Sequence, residues 1–447
     1  MRDSANPSNL PEPTEQKCPQ CQATIPVYRE FVIWCDTCNW NVKPDQVEQP
    51  KSLFEATYVK LGKSFGQQLF NQLVKTPSLK PSLTFSNFLA YSLAILVHIF
   101  TLVVAAGSIW LLMRCGLQLL DGVRTTNWPA FAVTLALGVV GILAIWDVIP
   151  EEQKLPVENI ASRQQFPHLY ATIADIAASL GTAGVDTILI DASFRASVTQ
   201  MGWERKKVLR LGLPLFSILS PQEKVALLSH ELAHYANGDT NRSLVVGSAL
   251  HSLNSWYKLL HPDGFQFGNK RIGYFGKRGS GGVNLLGLFL APIAYGGIFT
   301  LAHLMWRNSQ RAEYLADALA AKNSSTPAVL SMLDKTQLRP AFDLSLQRFL
   351  AKHKNRSLFE DFQTYLAQMP PRELERIRRA AYLNQTRLDT THPPTVYRLE
   401  FLRLRPIKTA QIVLTSSQNE TLEQELVLAQ AFVQEKLIEQ HIPRIFR

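Results

Sequence analysis

Apolar residues along this chain fall into three regimes. Over 83–113 and again over 128–146 they run almost unbroken, and neither run holds an acidic or basic residue. A bilayer-spanning helix needs roughly 20 such residues, and Trp128 and Trp146 bracket the second run as interfacial anchors do. The pattern predicts two transmembrane helices. Lys51, Lys60, Lys63, Lys75 and Lys80 precede the first, against Arg114 and Arg124 between the two. That imbalance puts the N-terminus on the cytoplasmic side, and two crossings return the rest of the chain there.

Over 151–405 the pattern breaks into shorter pieces. A helical period covers 166–180 and stops at Gly181, while 187–190 and 207–213 read as short strands with an edge strand over 195–199 between them. After Ser220 the apolar positions Val225, Leu228, Leu232 and Tyr235 recur at three- and four-residue steps. Ser220 with Glu223 makes a capping box, Pro221 takes the first helical position, and Gly238 follows the last turn. This is the best-marked helix in the chain.

The third regime is mixed. Residues 283–306 are 24 residues without a formal charge, interrupted by Pro292, Gly296 and Gly297. A glycine-rich basic loop over 264–282 joins them to 244–260, whose His251, Asn254 and Lys258 are costly at mid-bilayer. We expect an even number of crossings here, with shallow or partial insertion. Residues 325–447 read as helices with charged faces, broken at Pro370-Pro371 and Pro393-Pro394, with an amphipathic polar helix over 419–440.

The helix after Ser220 carries His230-Glu231-Leu232-Ala233-His234. Four residues apart, the two imidazoles lie on one face and can share a metal ion. Glu231 sits about 100° round, close enough to serve as a base without being a ligand. Downstream, Glu313 and Asp317 are also four apart, in a run of good helix formers. A His/His/Glu zinc site needs one carboxylate on the metal and another to orient a histidine ring.

A second cluster lies near the N-terminus. Cys18 and Cys21, then Cys35 and Cys38, form two matched C-x-x-C pairs joined by a strand-like run. This spacing reads as a zinc ribbon over 17–45, closed and structural. Its thiolates imply a reducing compartment. It follows a polar tail over 1–16 that reads as disordered, and precedes a basic connector over 46–82.

Composition sharpens this picture. Charged residues make up 18% of the 447 and hydrophobic ones 46%, which favours a membrane protein with a soluble part. The net charge of +10 comes from residues that are scattered or flank apolar stretches. It suits a lipid surface, and no nucleic-acid partner is expected. No secretory signal pattern is present in the first 50 residues.

Together the histidine motif, the Glu313 helix and the later Thr391-His392-Pro393-Pro394-Thr395…Arg398 resemble the HtpX and CAAX-prenyl-protease family of membrane zinc metallopeptidases, the gluzincins, over roughly 155–405. The resemblance implies that His230, His234 and Glu313 ligate zinc and that Glu231 is the general base. It also implies that Asp317 orients a ligand, and that His392 and Arg398 form the His-Pro…Arg element beside the active site. Where members carry Asn-Ala near the edge strand, this chain has Arg195-Ala196, with Gly202 soon after.

The expected fold is therefore α+β and mainly α. A zincin-type peptidase domain with a short sheet occupies 151–405, after the ribbon and two membrane helices, and a helical extension covers 406–447. The expected function is a membrane-anchored zinc endopeptidase of a bacterial plasma membrane, with ribbon and peptidase on the cytoplasmic side. One zinc would be catalytic and one structural, the substrates proteins or peptides in membrane-protein quality control, and a further protein could dock at the ribbon. Two alternatives stand beside it: a catalytically silent ribbon-based interaction protein, and a prenyl-protein processing protease. For the second donor to the reaction's oxyanion, besides zinc, His392 comes first and Arg398 second, unless both simply order the loop.

Overall fold

The computed structural model describes residues 13–28, 31–42, 64, 66–76, 85–120, 127–148, 160–202, 204–260, 285–352, 357–384, 393 and 395–445. In chain order the elements are β1 (Thr14–Lys17), β2 (Thr24–Val27), α1 (Phe85–Leu120), α2 (Trp128–Val148), β3 (Ile160–Ala161), α3 (Pro167–Ser179) and β4 (Thr187–Asp191). Then come β5 (Ala196–Met201), β6 (Lys206–Gly212), α4 (Leu213–Phe216), α5 (Pro221–Ala236), α6 (Asp239–Leu260) and α7 (Leu285–Ser324). The remainder is helical: α8 (Thr326–Thr336), α9 (Arg339–Lys352), α10 (Leu358–Ala367), α11 (Pro371–Asn384), α12 (Thr395–Arg403) and α13 (Ser416–Ile445). The fold is mainly helical with two small sheets, as the pattern predicted.

The chain divides into two compact units. One comprises Met1–Pro81, Lys154–Asn237 and Gln310–Arg447, the other Ser82–Gln153 and Gly238–Ser309. In the first, a four-stranded sheet of order β3-β4-β6-β5 leaves β5 at the edge, antiparallel to β6. β5 packs on α5, so the free strand edge runs beside the histidine helix. Gly212 closes β6 at a point where the 193–195 turn passes over it. A Cβ there would lie 1.9 Å from the Ser193 carbonyl oxygen, so only glycine fits.

α5 is capped as expected: Ser220 N donates to Glu223 at 2.6 Å, and Gly238 takes the left-handed φ of 73° just past the end. Its apolar face, Val225, Leu228 and Leu232, is fully buried. The opposite flank is covered as well. Lys224, 1% exposed, donates to Asn419 and Glu423 of α13, and Glu425 of the same helix accepts the backbone N–H of His168 and Leu169 at the start of α3. Burying an ammonium is tolerable only with such partners. The connector contributes as well: a helical segment over 66–75 sinks Leu69, Phe70 and Leu73 into the same core.

The second unit is a cluster of apolar helices. α1 and α2 pack along each other, and α6 packs on both. Ala90, Ala94 and Val97 of α1 meet Val246 and Ala249 of α6 and Leu301 of α7. Among the described residues α1 is the one helix long and apolar enough to cross a membrane. The second expected span is the helix α2, whose apolar stretch Trp128–Val139 is shorter. Polar groups inside the cluster find each other: Ser248 Oγ lies 3.2 Å from His98 Nε2, and Trp256 Nε1 donates to Thr101 Oγ1 at 3.2 Å. His303 Nδ1 lies 2.9 Å from the Phe299 carbonyl, one turn back along its own helix. The two limbs expected to insert shallowly are thus packed with the predicted spans, while His251, Asn254 and Lys258 keep to one exposed face of α6. The loop over 264–282 lies outside the described residues.

Candidate metal centres

Two helices build the buried centre. α5 presents His230 and His234 one turn apart, and the second half of α7 brings in Glu313 and, a turn later, Asp317. The apolar stretch over 283–306 and the Glu313 turn belong to one continuous helix with Pro292 inside it. His230 Nε2 and His234 Nε2 are 3.3 Å apart, and each lies 3.4 Å from an oxygen of Glu313. A tetrahedral zinc with ligands at about 2 Å has donor–donor edges of about 3.3 Å. Each histidine nitrogen faces a different Glu313 oxygen, and the three side chains bring their donors together at about the spacing of such a site. Glu231 follows His230 on the same helix and is half-buried. Its charge is close enough to help hold the Arg398 guanidinium protonated.

Behind the donors is a second layer. Asp317 Oδ1 lies 3.0 Å from His230 Nδ1, while Nε2 of the same ring faces His234 and Glu313. Arg398 of α12 grips Asp317 through Nε and Nη2, both at 2.7 Å, and its Nη1 lies 3.2 Å from Glu313. Burial alone would raise the Asp317 pKa, but the Arg398 charge and both hydrogen bonds outweigh it and hold the carboxyl below its ordinary value. Burial likewise works to lower His230, and its contacts with Asp317 and Glu313 overcome that and raise it.

Of the residues singled out in the sequence, His230, His234, Glu313, Asp317 and Arg398 converge. His392 lies outside the described residues. Sequence reading offered Arg398 as an oxyanion donor or as an ordering residue; its guanidinium is engaged by Asp317 and Glu313. The buried Lys224 and the Asn323 amide, which donates to Ser229 Oγ at 3.1 Å just before His230, were not singled out. A polar side chain on an amphipathic helix gives no sign of which distant element will cover it.

The second centre is local. Cys18, Cys21, Cys35 and Cys38 bring their sulfurs within 4.8 Å of one another. Cys18 and Cys38 are 3.6 Å apart and Cys21 and Cys35 3.5 Å, near the edge of about 3.8 Å for tetrahedral zinc with bonds of about 2.3 Å. The two loops match. Cys18 N donates to Ala23 O and Cys35 N to Trp40 O, five residues on in each case. Gln22 and Asn39, each following the second cysteine of its pair, take left-handed φ values of 61° and 59°. The backbone amide of Cys38, with that of Thr37, lowers the Cys35 thiol to about 6, favouring the thiolate a metal needs.

Two histidines and a glutamate from separate helices, with an acid beside the pair, define the class: a metal centre of the H-E-x-x-H plus glutamate kind. The chain belongs to peptidase family M48, whose model matches residues 164–405, more than half of its length. Among its relatives are proteins named Protease HtpX from Salmonella arizonae, Salmonella newport and Salmonella heidelberg. Each is 29% identical over 178 residues, covering 38% of this chain and 58% of the relative. The chain thus spans less than two thirds of the length of these relatives. No solved structure matches it.

Proposed function

We propose that the chain is a membrane-anchored zinc endopeptidase. The observation that carries this reading is the convergence of His230, His234 and Glu313 donors at spacings that suit a tetrahedral metal, with Glu231 adjoining. Zinc held there would acidify a water and polarise the scissile carbonyl. Glu231 is the residue beside it that would accept a proton from the attacking water and return it to the leaving amine. Asp317 and Arg398 are positioning residues: the arginine locks the acid, and the acid locks the His230 ring. His392 is our candidate for the second oxyanion donor. The free edge of β5, beside α5, suits an extended substrate backbone added as a further strand.

The membrane unit argues for substrates in or near the bilayer, hence protein quality control rather than prenyl-protein processing. We place peptidase and ribbon on the cytoplasmic side, with α1 and α2 as spans and α6 and the first part of α7 inserted beside them as a hairpin. The packing of Ala90, Ala94 and Val97 on Val246, Ala249 and Leu301 supports this hairpin over docking at the membrane surface. The deciding experiment offers the purified protein unfolded casein and a prenylated C-terminal peptide. Cleavage of casein supports the reading; cleavage of the prenylated peptide alone replaces it with the processing alternative, and no cleavage of either favours a silent interaction protein.

A further inference from the structure

We propose that the four-cysteine ribbon acts in cis, as a metal-dependent clamp on α11. The contact is made by the second cysteine loop. Trp34, 2% exposed, lies between two guanidinium groups, with the carbons of Arg372 and Arg379 at 4.5 and 5.2 Å from its ring centroid. Arg372 Nη2 donates to the Trp34 carbonyl at 2.7 Å and Nη1 to the Asp36 carboxylate at 2.9 Å. Arg379 Nη1 donates to the Asp36 carbonyl at 2.6 Å and to Asn39 Oδ1 at 3.0 Å. Beside this, Phe31 stacks on Tyr365 of α10 at 5.7 Å. The two arginines are two helical turns apart on one face of α11, so together they read one short stretch of loop.

That stretch, 34–39, contains Cys35 and Cys38, and its four acceptors (the Trp34 and Asp36 carbonyls, the Asp36 carboxylate and Asn39 Oδ1) all lie on the loop that these two cysteines close. The described part of the ribbon has a small core: Ile25, Cys18 and Cys35 are buried, half-buried Ala23, Ile33 and Trp40 pack against them, and each described strand is four residues long. So small a module folds when its metal binds. Metal at the cysteines therefore sets the loop, the loop presents its carbonyls and indole, and α11 is held. α11 leads through residues 385–394, which carry His392, into α12, the helix of Arg398. Along the chain, the clamped helix precedes the one that carries Arg398. The Trp34 face of the ribbon is occupied in cis, so a partner using that face would have to displace α11.

The test is peptide-level hydrogen exchange on the full chain in detergent, with bound zinc counted in parallel. The double variant Cys35→Ser/Cys38→Ser is expected to lose one zinc equivalent and to exchange at least roughly tenfold faster across 371–384, with 221–236 unchanged. Arg372→Ala/Arg379→Ala should keep both zincs yet exchange faster across 31–42. Trp34→Ala should behave like the arginine variant, and Trp34→Phe, which keeps an aromatic face, should restore most of the protection. Unchanged exchange across 371–384 after loss of the ribbon zinc overturns the clamp. So does unchanged exchange across 31–42 without the arginines, which also decides the matter if the cysteine variant fails to fold. A kinetic arm rests on the peptidase reading: the arginine variant should lower kcat on casein at constant zinc content. A wild-type protein that cleaves nothing counts against that reading alone, since the exchange arm does not depend on it.

Discussion

The two donor clusters of this protein are opposites in almost every physical respect. The ribbon gathers four sulfurs from residues 18–38, near the surface, from two loops of the same geometry. The other centre gathers two nitrogens and a carboxylate from helices far apart in sequence, in a buried setting, with Asp317 and Arg398 behind them. Four soft ligands complete a tetrahedron and leave no place for a substrate. Three ligands leave a corner open, and Glu231 adjoins them. On the proposed reading, a holding site and a reacting one differ in how many ligands they supply and in how much structure is spent orienting each donor.

The comparison breaks most visibly at a ligand. Glu313→Ala removes one corner of the buried triangle, and zinc affinity there should fall by more than the roughly 10–100-fold typical of losing an orienting partner. The ribbon zinc should stay, as two-step metal analysis would show. Next comes Asp317→Asn, which keeps the shape but weakens the hold on His230 Nδ1. We expect a loss of roughly 10–100-fold in affinity at the buried site, measured by competition with a chelator. Among the described residues, the ribbon's sulfurs are contacted by backbone amides and Gln20, so Asp317 has no carboxylate counterpart there.

A smaller effect concerns α5 itself. Burial would raise the Glu223 pKa, but Lys335, Ser331 and the Ser220 backbone together hold it below its ordinary value. A depressed folded pKa contributes stability above the ordinary carboxylate range, near pH 4.3, and that contribution is lost as pH falls through the lower, folded value. Glu223→Gln should cost about 1–2 kcal/mol at neutral pH and flatten that part of the acid limb in thermal unfolding. A separate check addresses the membrane unit. Cysteine introduced at Ser280 should be labelled from outside intact cells by an impermeant reagent if α6 and the first part of α7 cross as a hairpin; protection would return us to shallow insertion.

How legible each region was in the sequence follows from the range of its contacts. Both donor sets announce themselves, because C-x-x-C and H-E-x-x-H work through local spacing on a loop or one helical face. The capping box at Ser220 and Glu223, the edge strand and the helix stop at Gly181 are local too, and all recur in the structure. What pattern could not supply is pairing between distant segments. Arg398 finds Asp317 across 81 positions and Arg372 finds Trp34 across 338. Hydrophobic periodicity says that a helix has a covered face but not what covers it, so nothing in the pattern marks Lys224, which is sealed under α13. The single helix through Pro292 to Glu313 was also hidden, since proline and paired glycines suggest a break where neighbouring helices can support continuity.

The most direct test of the central claim is proteolysis of casein by the purified wild-type protein and by Glu231→Gln, with zinc counted on both. The substitution removes the base and leaves every ligand, so the account predicts unchanged zinc content, unchanged fold and a loss of cleavage of roughly 10²–10⁴-fold. Cleavage by the variant at close to the wild-type rate would contradict it.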